Sequence, residues 1–207
     1  MGLGFEGAAD FGDKGGNFLN RPGMYLFVCT KIDEAPKGVL GGWAIESIVK
    51  GAPKGHEEEI GKTTNGIKFW PPKPTDKDGG EFKRKIQIRA AVALGWMRPK
   101  DLEPGVGFHV DDTSTASGRL FIAVVKKSEN DARFLELDAN RIYHIDDPAV
   151  KDFPIPKELL ALIPPQARIP ADEFAVFGTP ADHKREEKKG SGNESGGVLS
   201  EDDLGAL

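Results

Sequence analysis

The chain has 207 residues, of which 38% are hydrophobic, 26 are glycine and 15 are proline, and this composition favours one modest core of short strands and turns over long helices. No apolar run is long enough to cross a membrane, and the first residues do not form a secretory signal, so we expect no membrane partner. The single cysteine, Cys29, lies in an apolar run, which predicts a buried small side chain in a protein of the reducing cytoplasm.

The formal net charge of -5 conceals an uneven distribution of charge along the chain. Residues 50–100 hold twelve Lys or Arg and six Asp or Glu, so this segment is +6. The final segment 198–207, VLSEDDLGAL, contains three acidic residues and no basic residue. A basic middle segment is compatible with a negatively charged partner such as a nucleic acid, in spite of the acidic total.

The N-terminal part of the chain predicts an arm followed by three strands. Residues 1–20 are rich in glycine and lack a periodic pattern, so we predict a flexible N-terminal arm. Alternating or continuous apolar residues predict strands at 23–35, 41–51 and 66–72. The last of these ends in two prolines, and the turn-forming stretch KPTDKDGG follows.

A helical pattern replaces the strand pattern at 81–95, EFKRKIQIRAAVALG. Apolar residues recur from Phe82 onward at three- and four-residue steps, the alanines are strong helix formers, and Gly95 suits the position just after a helix. Strands are predicted to resume after the helix at 105–114, 118–128 and 133–146.

This order of elements predicts a mainly β fold. The predicted elements contain the order β-β-β-α-β-β, with the helix between the third and fourth strands, which is that of an OB-fold-like small barrel with one helix at its end. We predict that this domain spans 21–150 and that a Pro-rich extension, 151–178, packs on it through a short helix at 156–163. The polar composition of residues 179–207 predicts a disordered linker and an acidic tail.

The stretch GHEEEIGKTTNG, 55–66, contains Gly-Lys-Thr, the end of a phosphate-binding P-loop. That motif also needs a glycine at position 56, where His56 stands, and the three glutamates that follow would repel a polyphosphate. The stretch begins like the zinc-protease motif H-E-x-x-H, but Ile60 stands in place of the second histidine. We therefore predict a charged surface loop.

The residues do not form a set with catalytic spacing. The four histidines are scattered and paired zinc ligands are absent, so we predict no catalytic residue, metal or other cofactor. Adjacent acids, Asp111 with Asp112 and Asp146 with Asp147, leave open one alternative, a metal-dependent enzyme acting on phosphate esters. A second alternative is a non-catalytic structural or adaptor protein.

Basic and aromatic residues interleave within the +6 segment. A groove for single-stranded nucleic acid needs cations for the phosphates and flat rings on which the bases stack. The predicted nucleic-acid-binding residues are Trp43, Lys50, Lys62, Lys68, Phe69, Trp70, Lys73, Lys83, Arg84, Lys85 and Arg89. Because adjacent strand residues face opposite sides, we expect at least one of the neighbouring rings at 69 and 70 to be exposed.

The strand order and the stretches IKFWPP, RKIQIRAAVALGW, FLELDANRIYHIDDP and SEDDLGAL resemble phage single-stranded DNA-binding proteins of the OB-fold type, over roughly residues 18–150 and the tail. The resemblance implies sequence-independent binding and protection of single-stranded DNA in replication, recombination or repair, without catalysis, in the host cytoplasm if the chain is phage-encoded. It also implies recruitment of replication or recombination proteins by the tail residues Glu201, Asp202, Asp203, Leu204 and Leu207. The tip ends in Gly-Ala-Leu, whereas the tails by which bacterial single-strand binding proteins dock their partners end in Pro-Phe. The partners of this tail therefore need not be the partners of the bacterial tails.

Overall fold

The computed structural model describes residues 18–34, 43–64, 67–102, 113–128 and 135–177. Within them, five strands form one antiparallel sheet in the order β3-β2-β1-β4-β5. The strands are β1 (Gly23–Glu34), β2 (Trp43–Gly51), β3 (Ile67–Phe69), β4 (Leu120–Lys127) and β5 (Leu135–His144). A helix, α1 (Glu81–Ala93), lies between β3 and β4 in the chain, and a short helix, α2 (Lys157–Ala161), follows β5. The mainly β prediction is confirmed.

The main core lies on the face of the sheet where alternate residues of β1 are buried. Tyr25, Phe27 and Cys29 are buried there, and the ring of Phe27 stacks on that of Phe121 in β4 with centroids 5.4 Å apart. Two register shifts in β1 bend this long strand while it pairs with both β2 and β4. Burial raises the pKa of the Cys29 thiol to about 11, so this side chain is the buried small residue that the sequence predicts.

Helix α1 packs across the sheet with its C-terminal half. Residues 90–93, Ala-Ala-Val-Ala, are buried, since small side chains let the helix approach the strands closely. The helix contacts β5 most extensively and also β3 and β4, and β3 and β5, the two edges of the sheet, approach each other. Phe82, the first residue of the apolar pattern predicted for this helix, is 55% exposed, because the first turn of the helix extends beyond the core. Ile86, one turn later, packs against the core.

Residues 146–177 cover two further surfaces of this fold. The first part, with α2, packs through Val150 and its apolar neighbours on Leu26 and Ile122, on the opposite face of the sheet from the main core. The second part, residues 165–177, is called the C-terminal strap. Its side chains Ile169 and Phe174 pack on Val92 of α1. None of the helices in the described ranges is long and apolar enough to span a membrane.

Several predicted boundaries differ from the structure. The third strand ends at Phe69 and not at residue 72, because Trp70 is followed by two prolines that cannot donate ladder hydrogen bonds. The predicted strand 105–114 falls mostly outside the described residues, and its last two positions belong to the 3₁₀ helix Thr113–Ala116. The arm predicted for 1–20 is anchored at its end, where Leu19 is buried. Residues 1–17 and 178–207 lie outside the described part of the chain.

Candidate nucleic-acid interface

The exposed side of β2 and β3 carries part of the predicted basic surface. In β2 the residues between the buried positions Ile45, Ser47 and Val49 are exposed or half-buried, and Lys50 is exposed at the end of this row. Lys68 of β3 stands opposite Ala44 in the antiparallel register. Directly opposed residues of antiparallel strands share a face, so the register positions of Lys68 and Lys50 lie on one side of the sheet.

The three predicted stacking rings have different environments. Phe69 is 2% exposed and belongs to the core, so its ring is not available to a base. Trp43 stands opposite Phe69 in the β2–β3 register. Trp70, the first residue after β3, is 48% exposed. The expectation that one ring of the Phe69–Trp70 pair is exposed is confirmed, and the exposed ring is the indole.

The β3–α1 connection, residues 70–80, is held against the first turns of helix α1 at several points. At its start, Gln87 Nε2 donates a hydrogen bond of 3.1 Å to the Trp70 carbonyl. In its middle, the Asp76 carboxylate accepts from the Lys73 backbone at 2.8 Å and from Lys83 Nζ at 2.7 Å. The bond from Lys83 and the bond from the Lys73 amide hold the pKa of Asp76 below its ordinary value.

The end of the connection is closed by Asp78 and Gly80. The Asp78 carboxylate accepts from the amides of Gly80 and Phe82, at 3.0 and 2.7 Å, and so satisfies free N–H groups at the helix start. Gly80 has φ 83°, and a Cβ atom there would lie 2.7 Å from Cβ of Pro72. Both the left-handed backbone and the close approach to Pro72 therefore require glycine.

The predicted cations divide into exposed ones and ones that the fold itself uses. Lys50, Lys73 and Arg84 are exposed, and so is Lys85, whose 3.1 Å pair with Glu81 is a surface pair of small energy. Lys83 is partly covered and pairs with Asp76. Lys83 therefore has a structural partner within the connection, whereas the partner of Lys85 lies on the helix itself.

Arg89 and Lys62 serve the fold itself. Arg89 Nη1 donates to the Asn140 carbonyl of β5 at 3.0 Å, and its guanidinium lies 5.9 Å from the ring centroid of Phe177. Lys62 Nζ lies 3.1 Å from Oε1 of Glu59, whose side chain is 1% exposed. These two cations are engaged inside the molecule, and the Gly-Lys-Thr stretch directs its lysine at a buried carboxylate and not at a phosphate.

The acidic residues of the alternative enzyme have partners within the fold where they are described. Asp146 accepts from Arg168 Nε at 2.8 Å and from the Ile169 amide at 2.9 Å, and Asp147 accepts from the Ala149 amide at 2.8 Å. Asp111 and Asp112 fall outside the described ranges. In the part of the chain that the structure describes, no group of three or more His, Cys, Asp or Glu could hold a metal ion.

Two residues near the interface were not singled out from the sequence. Gln87 is buried within α1. The sequence feature that could have identified it is a polar residue on the same helix face as the buried alanines. Lys77 is exposed in the connection. The sequence feature that could have identified it is its position in the turn-forming stretch. Comparison with known proteins adds no assignment, because no family model, no curated protein and no solved structure matches the chain.

Proposed function

We propose that this protein binds single-stranded DNA without sequence preference and protects it during replication, recombination or repair. The observation that carries the proposal is the exposed indole of Trp70 on a connection that is braced by hydrogen bonds, with the exposed cations Lys73 and Arg84 in the same part of the chain. Bases of any identity have a flat face for stacking, and cations attract any phosphate backbone, so this combination favours single strands over a particular sequence.

We also propose that the sheet is the barrel of an OB-fold. Three features support this: the strand order β3-β2-β1-β4-β5, the helix between β3 and β4, and the approach of the two edge strands β3 and β5. OB-folds bind oligonucleotides on the face of their second and third strands and with the loops beside it. In this chain that face carries Lys50 and the register position of Lys68, and Trp70 directly continues β3.

A further part of the proposal concerns the acidic end of the chain. Glu201, Asp202 and Asp203 with Leu204 and Leu207 combine charge with apolar side chains, a composition that suits a short docking segment for replication or recombination proteins. These residues lie outside the described ranges, so the support for this part is the sequence alone. A pull-down with and without residues 198–207 tests it, and retention of all partners by the shortened chain would contradict it.

We expect the protein to retard a single-stranded oligonucleotide in a gel, with much weaker retardation of a duplex and with no requirement for magnesium. If the interface neutralises about four phosphates, the affinity should fall roughly 50-fold between about 50 and 200 mM salt, because bound counterions are released. A flat salt response would contradict the electrostatic part of the proposal. Cleavage of the oligonucleotide only with magnesium would favour the metal-dependent enzyme, and absence of binding would favour an adaptor.

Charge reversal should locate the phosphate contacts. We expect Lys50→Glu and Lys73→Glu each to weaken binding to all sequences alike and to reduce the logarithmic salt slope by about one. Lys151→Glu is the matched control, because Lys151 is exposed on the extension that packs on Leu26 and Ile122 and is not among the predicted phosphate contacts. Equal losses in all three variants, measured by fluorescence anisotropy with oligonucleotides of different sequence, would mean that net charge alone and not this surface determines the affinity.

A further inference from the structure

We propose that Gln87 is a positioning residue for base stacking, which holds the backbone at Trp70 so that the indole is presented to single-stranded DNA in a fixed place. This inference rests on the proposed function and assigns a role within the same interface. It names a residue that touches no base itself and acts through Trp70. The surface concerned is the β3–α1 connection and the helix turns behind it.

The location of Gln87 is the first observation. Its side chain is 8% exposed, on a helix whose following turn, from Ala90 to Ala93, is buried and apolar. Burying an amide side chain in such surroundings is unfavourable unless the amide is hydrogen-bonded. The Nε2 atom donates to the Trp70 carbonyl at 3.1 Å, across a sequence separation of 17 residues. The amide therefore joins the helix to the first residue beyond β3.

The second observation is that the rest of the connection is fixed as well. Two prolines directly follow Trp70, and their rings restrict the backbone. Pro72 lies so close to Gly80 that a Cβ atom there would be 2.7 Å away, and Asp76 joins the Lys73 amide to Lys83. The backbone of the connection is thus held at its start, its middle and its end, while the indole at its start remains 48% exposed.

A fixed backbone behind an open ring is the arrangement that base stacking needs. Binding that must first order a loop loses affinity through conformational entropy, and a preorganised surface avoids that loss. Loss of the Gln87 hydrogen bond would free the peptide at Trp70 and leave the indole in many orientations. The affinity should then fall although no group that contacts DNA has been removed.

The test uses the full chain with Trp43→Phe and Trp96→Phe, so that Trp70 is the one tryptophan left of the three. This parent is titrated with a thymidine oligonucleotide, and quenching, affinity and salt slope are measured well below the unfolding temperature. Gln87→Met keeps the length of the side chain but cannot donate. Gln166→Met is the matched control, because Gln166 is exposed in the C-terminal strap. Gln87→Asn, which keeps an amide but is one methylene short, is used if the methionine variant does not fold.

We expect Trp70→Ala to weaken binding roughly 5- to 150-fold, the range of one lost stack. Gln87→Met should weaken it about 5-fold, reduce the quenching of Trp70 and leave the salt slope unchanged, since no phosphate contact is lost. Gln166→Met should change none of these. In the Trp70→Ala background, Gln87→Met should cause no additional loss, because coupled residues are non-additive in a double-mutant cycle.

The outcomes separate this inference from the proposed function. If the unsubstituted chain, titrated alongside the parent, does not bind the oligonucleotide, the proposed function fails and so does the inference. If the parent binds but Trp70→Ala binds equally well, the inference is overturned while single-strand binding stands. If Gln87→Met weakens binding by the same factor with and without Trp70, Gln87 acts on general stability and the positioning role is overturned.

Discussion

Replacing Lys62 by methionine should lower the free energy of unfolding by about 3–5 kcal/mol, the usual effect of leaving a buried charge without its partner. The ammonium of Lys62 lies 3.1 Å from the carboxylate of Glu59, which is 1% exposed and also accepts from the Asn20 amide at 2.9 Å. The variant would bury this carboxylate without its counter-charge. Denaturant unfolding followed by circular dichroism measures the loss.

Two companion variants determine whether the loss has this cause. Lys62→Met with Glu59→Gln should recover most of the stability, because a neutral amide still accepts from Asn20 and no charge remains buried. Lys54→Met is the matched control on an exposed lysine and should change stability by less than about 0.5 kcal/mol. If Lys62→Met is as stable as the parent and binds single strands more weakly, Lys62 belongs to the interface after all.

The sequence allowed the elements to be located because their periodicity is strong. β1 contains the continuous apolar run MYLFVC, and α1 combines alanines with a glycine just beyond its end, so both were predicted within two residues of their bounds. The strand order in the sheet and the approach of β3 to β5 depend on contacts between residues that are distant in sequence. Local periodicity carries no information about such contacts. The overhang of Phe82 was missed for a related reason, since only the packed structure shows where the core ends beneath a helix.

The types of residue at the interface could be predicted from the sequence, but the partners that these side chains contact within the fold could not. Lys62 and Arg89 have the chemistry of phosphate ligands, yet a carboxylate three residues away and a carbonyl 51 residues away engage them. Alternation indicated that Phe69 and Trp70 face opposite sides and left open which ring is buried. Pairing of β3 with β2 decides this, because Ile67 stands opposite Ile45 and so Phe69 shares the core face. Trp70 is then the exposed ring.

His144, the last residue of β5, is buried in its neutral form beside the C-terminal strap, with its ring centroid 6.1 Å from that of Phe174. Nδ1 of His144 accepts a 3.2 Å hydrogen bond from the Asp146 amide, and because a backbone N–H only donates, this nitrogen carries no proton. Burial lowers the pKa of His144 from 6.5 to about 4, the Asp146 carboxylate 3.6 Å away opposes this shift, and Arg168 and Arg119 reinforce it. The pKa of Asp146 is itself below 3.8: burial raises it, but the hydrogen bonds from Arg168 and the Ile169 amide and the neighbouring positive charges together outweigh that effect.

Acidification should therefore destabilise the fold well above the titration of its carboxylates. Between pH 6.5 and about 4 the unfolded chain binds a proton at His144 that the folded chain does not, so the stability is complete above pH 6.5 and falls as the pH falls towards 4. The loss should be on the order of 2–3 kcal/mol. His144→Asn places an amide oxygen near Nδ1, keeps an acceptor for the Asp146 amide and does not titrate. Unfolding in guanidinium chloride at several pH values should show a slope for the parent and a much flatter line for His144→Asn, and parallel lines would show that another group titrates.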